Sequence, residues 1–208
     1  MDCCDPNGLN KVFRGGYVES EKRDFLRRGL SKRQKRFWLE RDLTGKSVLD
    51  IGCGVGALGL TALQRGAQQA FLIDVSKDYV AAAQSLASSL GLVAKVSTAQ
   101  ADFVTSDAPK ADLVVLDRVV CCYPDATNLL VKAAAQSQDE LLFSYPRSFW
   151  FVRFGRAALN GLMRLIGREY RFYLHSEADL LAAATSQGHS LVRKEQLGLW
   201  TLAVFNLE

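Results

Sequence analysis

The chain has 208 residues, 49% of them hydrophobic and 23% charged, with a net charge of +4 at pH 7. That length carries a full core in one domain without metal or disulfide support, and no apolar run reaches the ~20 residues that a membrane-spanning helix requires. The 5 cysteines stand as two adjacent pairs, Cys3-Cys4 and Cys121-Cys122, plus Cys53; this is a poor disulfide framework, and reduced thiols in a cytoplasm are the expectation.

Residues 1–16 read as a loose arm punctuated by Pro6, Asn7, Gly8, Gly15 and Gly16, and the polar start is not a signal peptide. Residues 17–42 predict one or two helices, with Phe25, Leu26, Leu30, Phe37, Trp38 and Leu39 as apolar contacts. Lysines and arginines crowd the stretch from Lys11 to Arg41, against Glu19, Glu21, Asp24 and Glu40. Such a cluster is a solvated amphipathic face, or else a surface for an acidic substrate, an anionic membrane or RNA. No aromatics interleave with the charges as an RNA-reading surface requires, so nucleic acid ranks last. Residues 1–42 are therefore read as an N-terminal arm with basic helices, and 43–208 as the main domain.

From there strands and helices alternate. Strands are expected at 46–51, 69–74, about 93–98, 111–117 and 139–145. Helices are expected at about 57–65, from the Ser76 cap to Leu90, and at 125–136, with Gly91 as a terminator. Residues 99–110 are a loop. An amphipathic helix follows at 148–167, then a short extended stretch at 170–174 and a helix at 177–187 capped by Ser176. Two β runs, 189–195 and 198–206, are separated by a turn around Gln196-Leu197-Gly198. This pattern implies an α/β fold: a doubly wound, Rossmann-like, mostly parallel seven-stranded sheet with a C-terminal antiparallel hairpin.

The most informative stretch is Val48-Leu49-Asp50-Ile51-Gly52-Cys53-Gly54-Val55-Gly56. A buried strand, a turn with glycines at Gly52, Gly54 and Gly56, and a helix bring bare backbone to the carboxyl edge of a sheet, where nucleosides bind. Asp50 separates the candidate ligands. A carboxylate there would repel a pyrophosphate, whereas a ligand carrying an ammonium and a sulfonium, such as S-adenosyl-L-methionine, would be welcome. Asp74, at the end of the second strand, can accept from both ribose hydroxyls; nicotinamide enzymes share that feature, and an NAD or FAD domain is the alternative. The formal G-x-G-x-x-G at Gly54, Gly56 and Gly59 is discounted, because Gly52 already opens the turn.

The Val48–Gly56 phrase resembles motif I of the class I S-adenosylmethionine-dependent methyltransferases. The closing hairpin resembles that superfamily's strand six–strand seven ending, which extends the likeness over about 46–208. The resemblance implies that Asp50, Gly52, Gly54 and Gly56 face the methionine half of the cofactor and that Asp74 holds the ribose. It also implies that Asp102 and Phe103 are the acid–aromatic pair near the adenine; an ordinary loop acid is the other reading of Asp102. Cys53 is a small filler.

Methyl acceptor and cofactor would meet at Asp117-Arg118-Val119-Val120-Cys121-Cys122-Tyr123-Pro124-Asp125. In-line displacement needs an aligned nucleophile and, for some acceptors, a base, for which Asp117, Tyr123 and His175 are candidates. Asp117 could instead pair with Arg118 or cap the next helix, Tyr123-Pro124 could form a wall, and His175 could be a hydrogen-bonded structural residue; His189 is expected to be structural. Arg147 would add a cation at the pocket mouth. On a helix, Arg153, Arg156, Arg164 and Arg168 fall within roughly 120° of each other, with Phe151, Phe154, Leu159, Leu162, Leu165 and Ile166 opposite. The segment 148–175 is accordingly read as a substrate lid, with a core-packing helix or a peripheral membrane contact through 149–168 as alternatives. The paired cysteines invite a metal or arsenite hypothesis, but adjacent thiols chelate one ion poorly, and no metal is expected.

Within the superfamily, the strand-four Tyr-Pro and the later aromatic-His-Ser are similar to the magnesium-protoporphyrin IX O-methyltransferase branch, which carries a histidine where this chain has Cys122. The expected function is methyl transfer to a small-molecule acceptor, apolar with an anionic group. The alternatives are a magnesium-protoporphyrin IX carboxylate O-methyltransferase and a non-catalytic S-adenosylmethionine-binding or RNA-binding module.

Overall fold

Buried aliphatic strands alternating with helices build one seven-stranded sheet in the computed structural model, which describes residues 8–9 and 12–208. Cys3, Cys4 and the start of the expected arm lie outside the described residues. The elements run α1 (Gly16–Arg28), α2 (Lys32–Lys35), β1 (Ser47–Ile51), α3 (Ala57–Gln64), β2 (Gln69–Asp74), α4 (Lys77–Ser89), β3 (Val96–Gln100) and β4 (Ala111–Leu116). They continue with α5 (Ala126–Gln136), β5 (Ser137–Pro146), α6 (Trp150–Leu165), α7 (Glu177–Thr185), β6 (His189–Leu197) and β7 (Trp200–Leu207).

The strand order is β3-β2-β1-β4-β5-β7-β6. The first five strands are parallel, and β7 inserts antiparallel between β5 and β6. Val48 and Leu49 point to opposite faces of β1, and each joins one of the two cores that sandwich the sheet. Both faces are thus apolar, as a covered parallel sheet requires.

The differences from expectation have local causes. β3 starts at Val96 because Val93–Lys95 first make a 3-10 turn after the left-handed Gly91. β5 starts earlier than expected, at Ser137, which pairs with Ala111 of β4, and ends at Pro146 opposite Trp200 of β7. Residues 170–174 form no strand: the Phe172 amide donates to Asn160 Oδ1 (2.8 Å) and the Tyr173 amide to the Cys121 carbonyl (2.7 Å).

The basic N-terminal region is partly adhesive. Arg33 pairs with Asp117, Arg36 with Glu195 at 2.7 Å, and Arg41 with Glu140 at 2.6 Å. A capping box between Ser31 and Gln34 starts the short α2 that presents Arg33. Trp38 is fully buried and donates its indole N–H to the Leu58 carbonyl (3.2 Å), so one core runs from α1 through β1. Helix α6 behaves differently. None of its residues is buried, so it packs into no core. Among the described residues no helix is long and apolar enough to cross a membrane.

Gly59 has a role that the discounted motif did not suggest. A Cβ there would lie 2.4 Å from Leu72 Cδ2, and Leu72 is itself fully buried. Gly59→Ala is expected to destabilise the protein by about 1–3 kcal/mol through overpacking, with part recovered in the Gly59→Ala/Leu72→Val double variant, as read by urea denaturation.

Candidate functional site

A cavity of about 620 Å³ opens at the carboxyl edge of β1, β2 and β4. Its floor is the turn after β1. Gly52, Gly54 and Gly56 have φ of +62°, +56° and +78°, a region that side chains rarely adopt. A Cβ at Gly52 would also lie 2.6 Å from Val119 Cγ2, so the turn leaves bare backbone beside the end of β4. The Gly54 amide donates to Asp74 Oδ2 (2.9 Å), and the Ser76 amide to Asp74 Oδ1 (2.8 Å). Asp74 also lines the cavity.

Asp50 is 2% exposed and accepts from the Gly59 amide at 3.0 Å. Burial, with Asp74 adding like charge, pushes its carboxyl up to about 7. The site therefore holds a carboxylate whose ionised form a bound cation would favour. On the far side, Asp102 accepts from the Tyr123 hydroxyl (3.0 Å to Oδ2) and the Val104 amide (3.1 Å). Phe103 is buried beside it, lines the cavity, and has Lys132 Nζ 5.1 Å from its ring centre. Cys53 is buried among these groups, and burial pushes its thiol well up.

The other side of the cavity is formed by the end of β4 and the N-terminal helices. Asp117 meets Arg33 and accepts from Ser144 Oγ (2.7 Å). Burial lowers Arg33 to about 10, which leaves it a cation at neutral pH. Arg118 sits at φ +62° with its amide on Ser144 Oγ (2.9 Å), and its guanidinium reaches Glu21 at 3.6 Å. Cys121 and Cys122 both line the cavity with their sulfurs 3.7 Å apart. Among the described residues, no group of three or more His, Cys, Asp or Glu side chains could hold a metal ion.

Asp50, Gly52, Gly54, Asp74, Asp102, Phe103, Asp117 and Tyr123 all border this one cavity. Gly56 is not on its wall; it lies behind the turn, where a Cβ would meet Leu72 at 3.0 Å. Two expected residues lie outside. Arg147 is carried away because β5 runs antiparallel to β7, and its guanidinium ends at the Gly198 carbonyl (3.2 Å), stacked over Phe149. His175 turns its Nε2 to the Tyr123 carbonyl (3.0 Å) instead of into the cavity. The lid reading of 148–175 is also corrected: from that segment only Tyr170 and Phe172 reach the cavity, and α6 does not.

The cover comes instead from the N-terminus. Phe13, Tyr17, Glu21 and Arg33 line the cavity, and Tyr79 donates its hydroxyl to Glu21 Oε2 (2.5 Å). Sequence reasoning missed these residues and Trp200. A faint signal existed in Tyr17 and Glu21, one helical turn apart, and in Tyr79, three residues after the Ser76 cap.

Bare backbone beside a buried acid, with a second acid closing the next strand and an antiparallel seventh strand, is the class I S-adenosylmethionine-dependent methyltransferase fold. Residues 48–137 match the family model described as a methyltransferase domain. Among curated relatives, the ribosomal protein L11 methyltransferase of Haemophilus ducreyi (strain 35000HP / ATCC 700724) is 40% identical over 82 residues, 38% of this chain and 27% of that protein. That of Histophilus somni (strain 2336) is 33% identical over 101 residues, 45% of this chain and 33% of that protein. The chain thus spans only about a quarter to a third of the length of these relatives.

Among solved structures, the magnesium protoporphyrin IX methyltransferase from Synechocystis PCC 6803 with bound SAH superposes with a TM-score of 0.69 at 21% identity, covering 96% of this chain and 92% of that one. An O-methyltransferase family protein from Burkholderia thailandensis also gives 0.69, at 16% identity, over 92% of this chain and 59% of that one. At these identities the likeness concerns the fold.

The buried Asp50 makes stability and ligand binding oppose each other. Without ligand, the folded protein keeps the Asp50 proton up to about pH 7, against an ordinary value of 3.8. Its contribution to stability is complete below the ordinary value and is lost as pH rises through 7. Asp50→Asn should remove that slope and gain about 2–4 kcal/mol at pH 8 in urea denaturation of the ligand-free protein. The same variant should bind S-adenosylhomocysteine about tenfold more weakly by calorimetry. Wild-type affinity should fall between pH 8 and pH 6, as a proton replaces the ligand's ammonium as the neutralising charge.

Proposed function

We propose that the chain transfers a methyl group from S-adenosylmethionine to a small, largely apolar acceptor. The observation that carries this reading is Asp50, a buried carboxylate beside a glycine turn whose ionised form calls for a cationic ligand. The residues fit the cofactor. The Gly52–Gly54 backbone and Asp50 would hold the amino-acid end, Asp74 the ribose hydroxyls, and Asp102 with Phe103 the adenine. When bound, the cofactor supplies a methyl carbon already activated by its sulfonium.

The chain's own contribution is positioning and exclusion of water. Phe13, Tyr17, Tyr170, Phe172 and Trp200 give the cavity aromatic walls that would fit an apolar acceptor. The expected bases are engaged: Asp117 is neutralised by Arg33, and Tyr123 is tied to Asp102, whose carboxylate together with burial pushes the phenol far above its ordinary value. The acceptor suited to such a site is a nucleophile that needs no protein base at neutral pH. The anionic part of the expectation rested on Arg147 and α6, which lie outside, and the cavity's Arg33 and Arg118 are already paired with Asp117 and Glu21.

The name of the Synechocystis neighbour suggests a tetrapyrrole carboxylate as acceptor, and the names of the curated relatives suggest a ribosomal protein. We favour a molecule smaller than a tetrapyrrole because a cavity of about 620 Å³ has to hold cofactor and acceptor together; the labelling experiment below separates it from a protein side chain.

Calorimetry should show S-adenosylhomocysteine binding and no NAD binding. Asp74→Ala should weaken the former by about tenfold to a hundredfold, since a ribose hydroxyl would lose its partner in a dry site. Unchanged affinity in Asp74→Ala would remove the ribose assignment. Incubating a cell extract with labelled methyl donor should place label in a small-molecule fraction; label confined to a protein band would transfer the reading to a macromolecular acceptor.

A further inference from the structure

We propose that α6 docks the protein onto an anionic lipid bilayer, lying in the plane of the interface with its outer face in the headgroup–acyl boundary. The helix is 16 residues long, and none of its side chains is buried. Its contact with the rest of the protein runs through the half-buried Val152, Leu159, Asn160 and Met163. The opposite face is apolar and open: Trp150 is 74% exposed, Phe154 73% and Leu165 86%. A soluble helix normally turns this face inward; here large aromatic and aliphatic groups project away from the protein.

The charge pattern selects the occupant. Arg153 and Arg164 run along one edge of the outer face, within roughly 20° of each other on a helical wheel, and Arg156 is exposed just behind them. No acid occurs between Glu140 and Glu169, so nothing on α6 offsets these cations. Apolar groups flanked by arginines suit an interface at which hydrocarbon meets phosphate: the rings and Leu165 enter the boundary while the guanidinium groups stay at headgroup level. A protein groove would satisfy the apolar face but gives no reason for an edge of unopposed arginines.

The docked helix is also linked to the cavity. Asn160 makes two hydrogen bonds to the Phe172 backbone, 2.8 and 2.9 Å, and Phe172 lines the cavity. On the methyl-transfer reading, an apolar acceptor partitioned into the bilayer would then reach the site along the surface on which α6 rests.

Flotation with phosphatidylcholine vesicles, with and without phosphatidylglycerol, tests the docking. The protein should float at least about tenfold more with the anionic vesicles, and less as salt rises from about 0.1 to 0.5 M. Brominated lipid should quench its tryptophan fluorescence, and Trp150→Phe should remove that quenching. Phe154→Glu/Leu165→Glu and Arg153→Glu/Arg164→Glu should each abolish flotation while keeping the wild-type urea-denaturation midpoint, which shows that the fold is intact and keeps this test separate from that of the methyl-transfer reading. The proposal is overturned by equal flotation with neutral vesicles, by undiminished flotation of either variant, or by a lipid-free dimer that Phe154→Glu/Leu165→Glu dissociates.

Discussion

A carboxylate buried inside β1 with a single amide donor constrains the rest of this structure. Without ligand Asp50 keeps its proton up to about pH 7, because burial disfavours its charge and the backbone around it supplies little; positive charge beside it would favour the ionised form. Every neighbouring feature follows from keeping the space beside it open and dry. Three left-handed glycines hold side chains away from the turn, Gly59 brings the first turn of α3 close enough to donate to Asp50, and Asp74 pins the turn through Gly54. On the proposed reading the ligand completes the electrostatics of this poorly solvated acid, a trade of ligand-free stability for selectivity.

The acceptor half is organised by the opposite means. There the charges are already matched within the protein, Arg33 to Asp117 and Arg118 to Glu21. Such pairs hold the N-terminal helices over the sheet and contribute shape more than reactivity. The contrast accounts for the chemistry proposed above: the cofactor end waits for a charge, while the acceptor end presents aromatic walls and neutralised ions.

The strands of the sheet, its closing hairpin and the acids at the ends of β1 and β2 were legible in the sequence because each depends on a few consecutive residues. The strand–glycine–helix phrase, the acid ending β2 and its Ser76 cap are local chemistry. The cover was not legible, since Arg33 and Asp117 are 84 positions apart and no local pattern links them. Arg147 and His175 were misplaced for a related reason: closeness in sequence to a pocket-forming strand says nothing of where an antiparallel partner or a carbonyl will draw the side chain. The periodicity of α6 was correct as a pattern, but periodicity reports that two faces differ and not which of them meets the protein.

The position of β7 bears on how this chain is made. The strand made last among those described sits between β5 and β6, so a nascent chain ending at β5 has an unfinished sheet whose open margin presents Leu141, Phe143 and Tyr145. Arg36 also lacks Glu195, and Arg33 lacks the Trp200 ring 5.6 Å away, until the hairpin has emerged. These two contacts of the N-terminal region are therefore completed only after the hairpin is made, and slowed translation of that hairpin would prolong the interval in which the β5 margin can recruit a neighbouring chain.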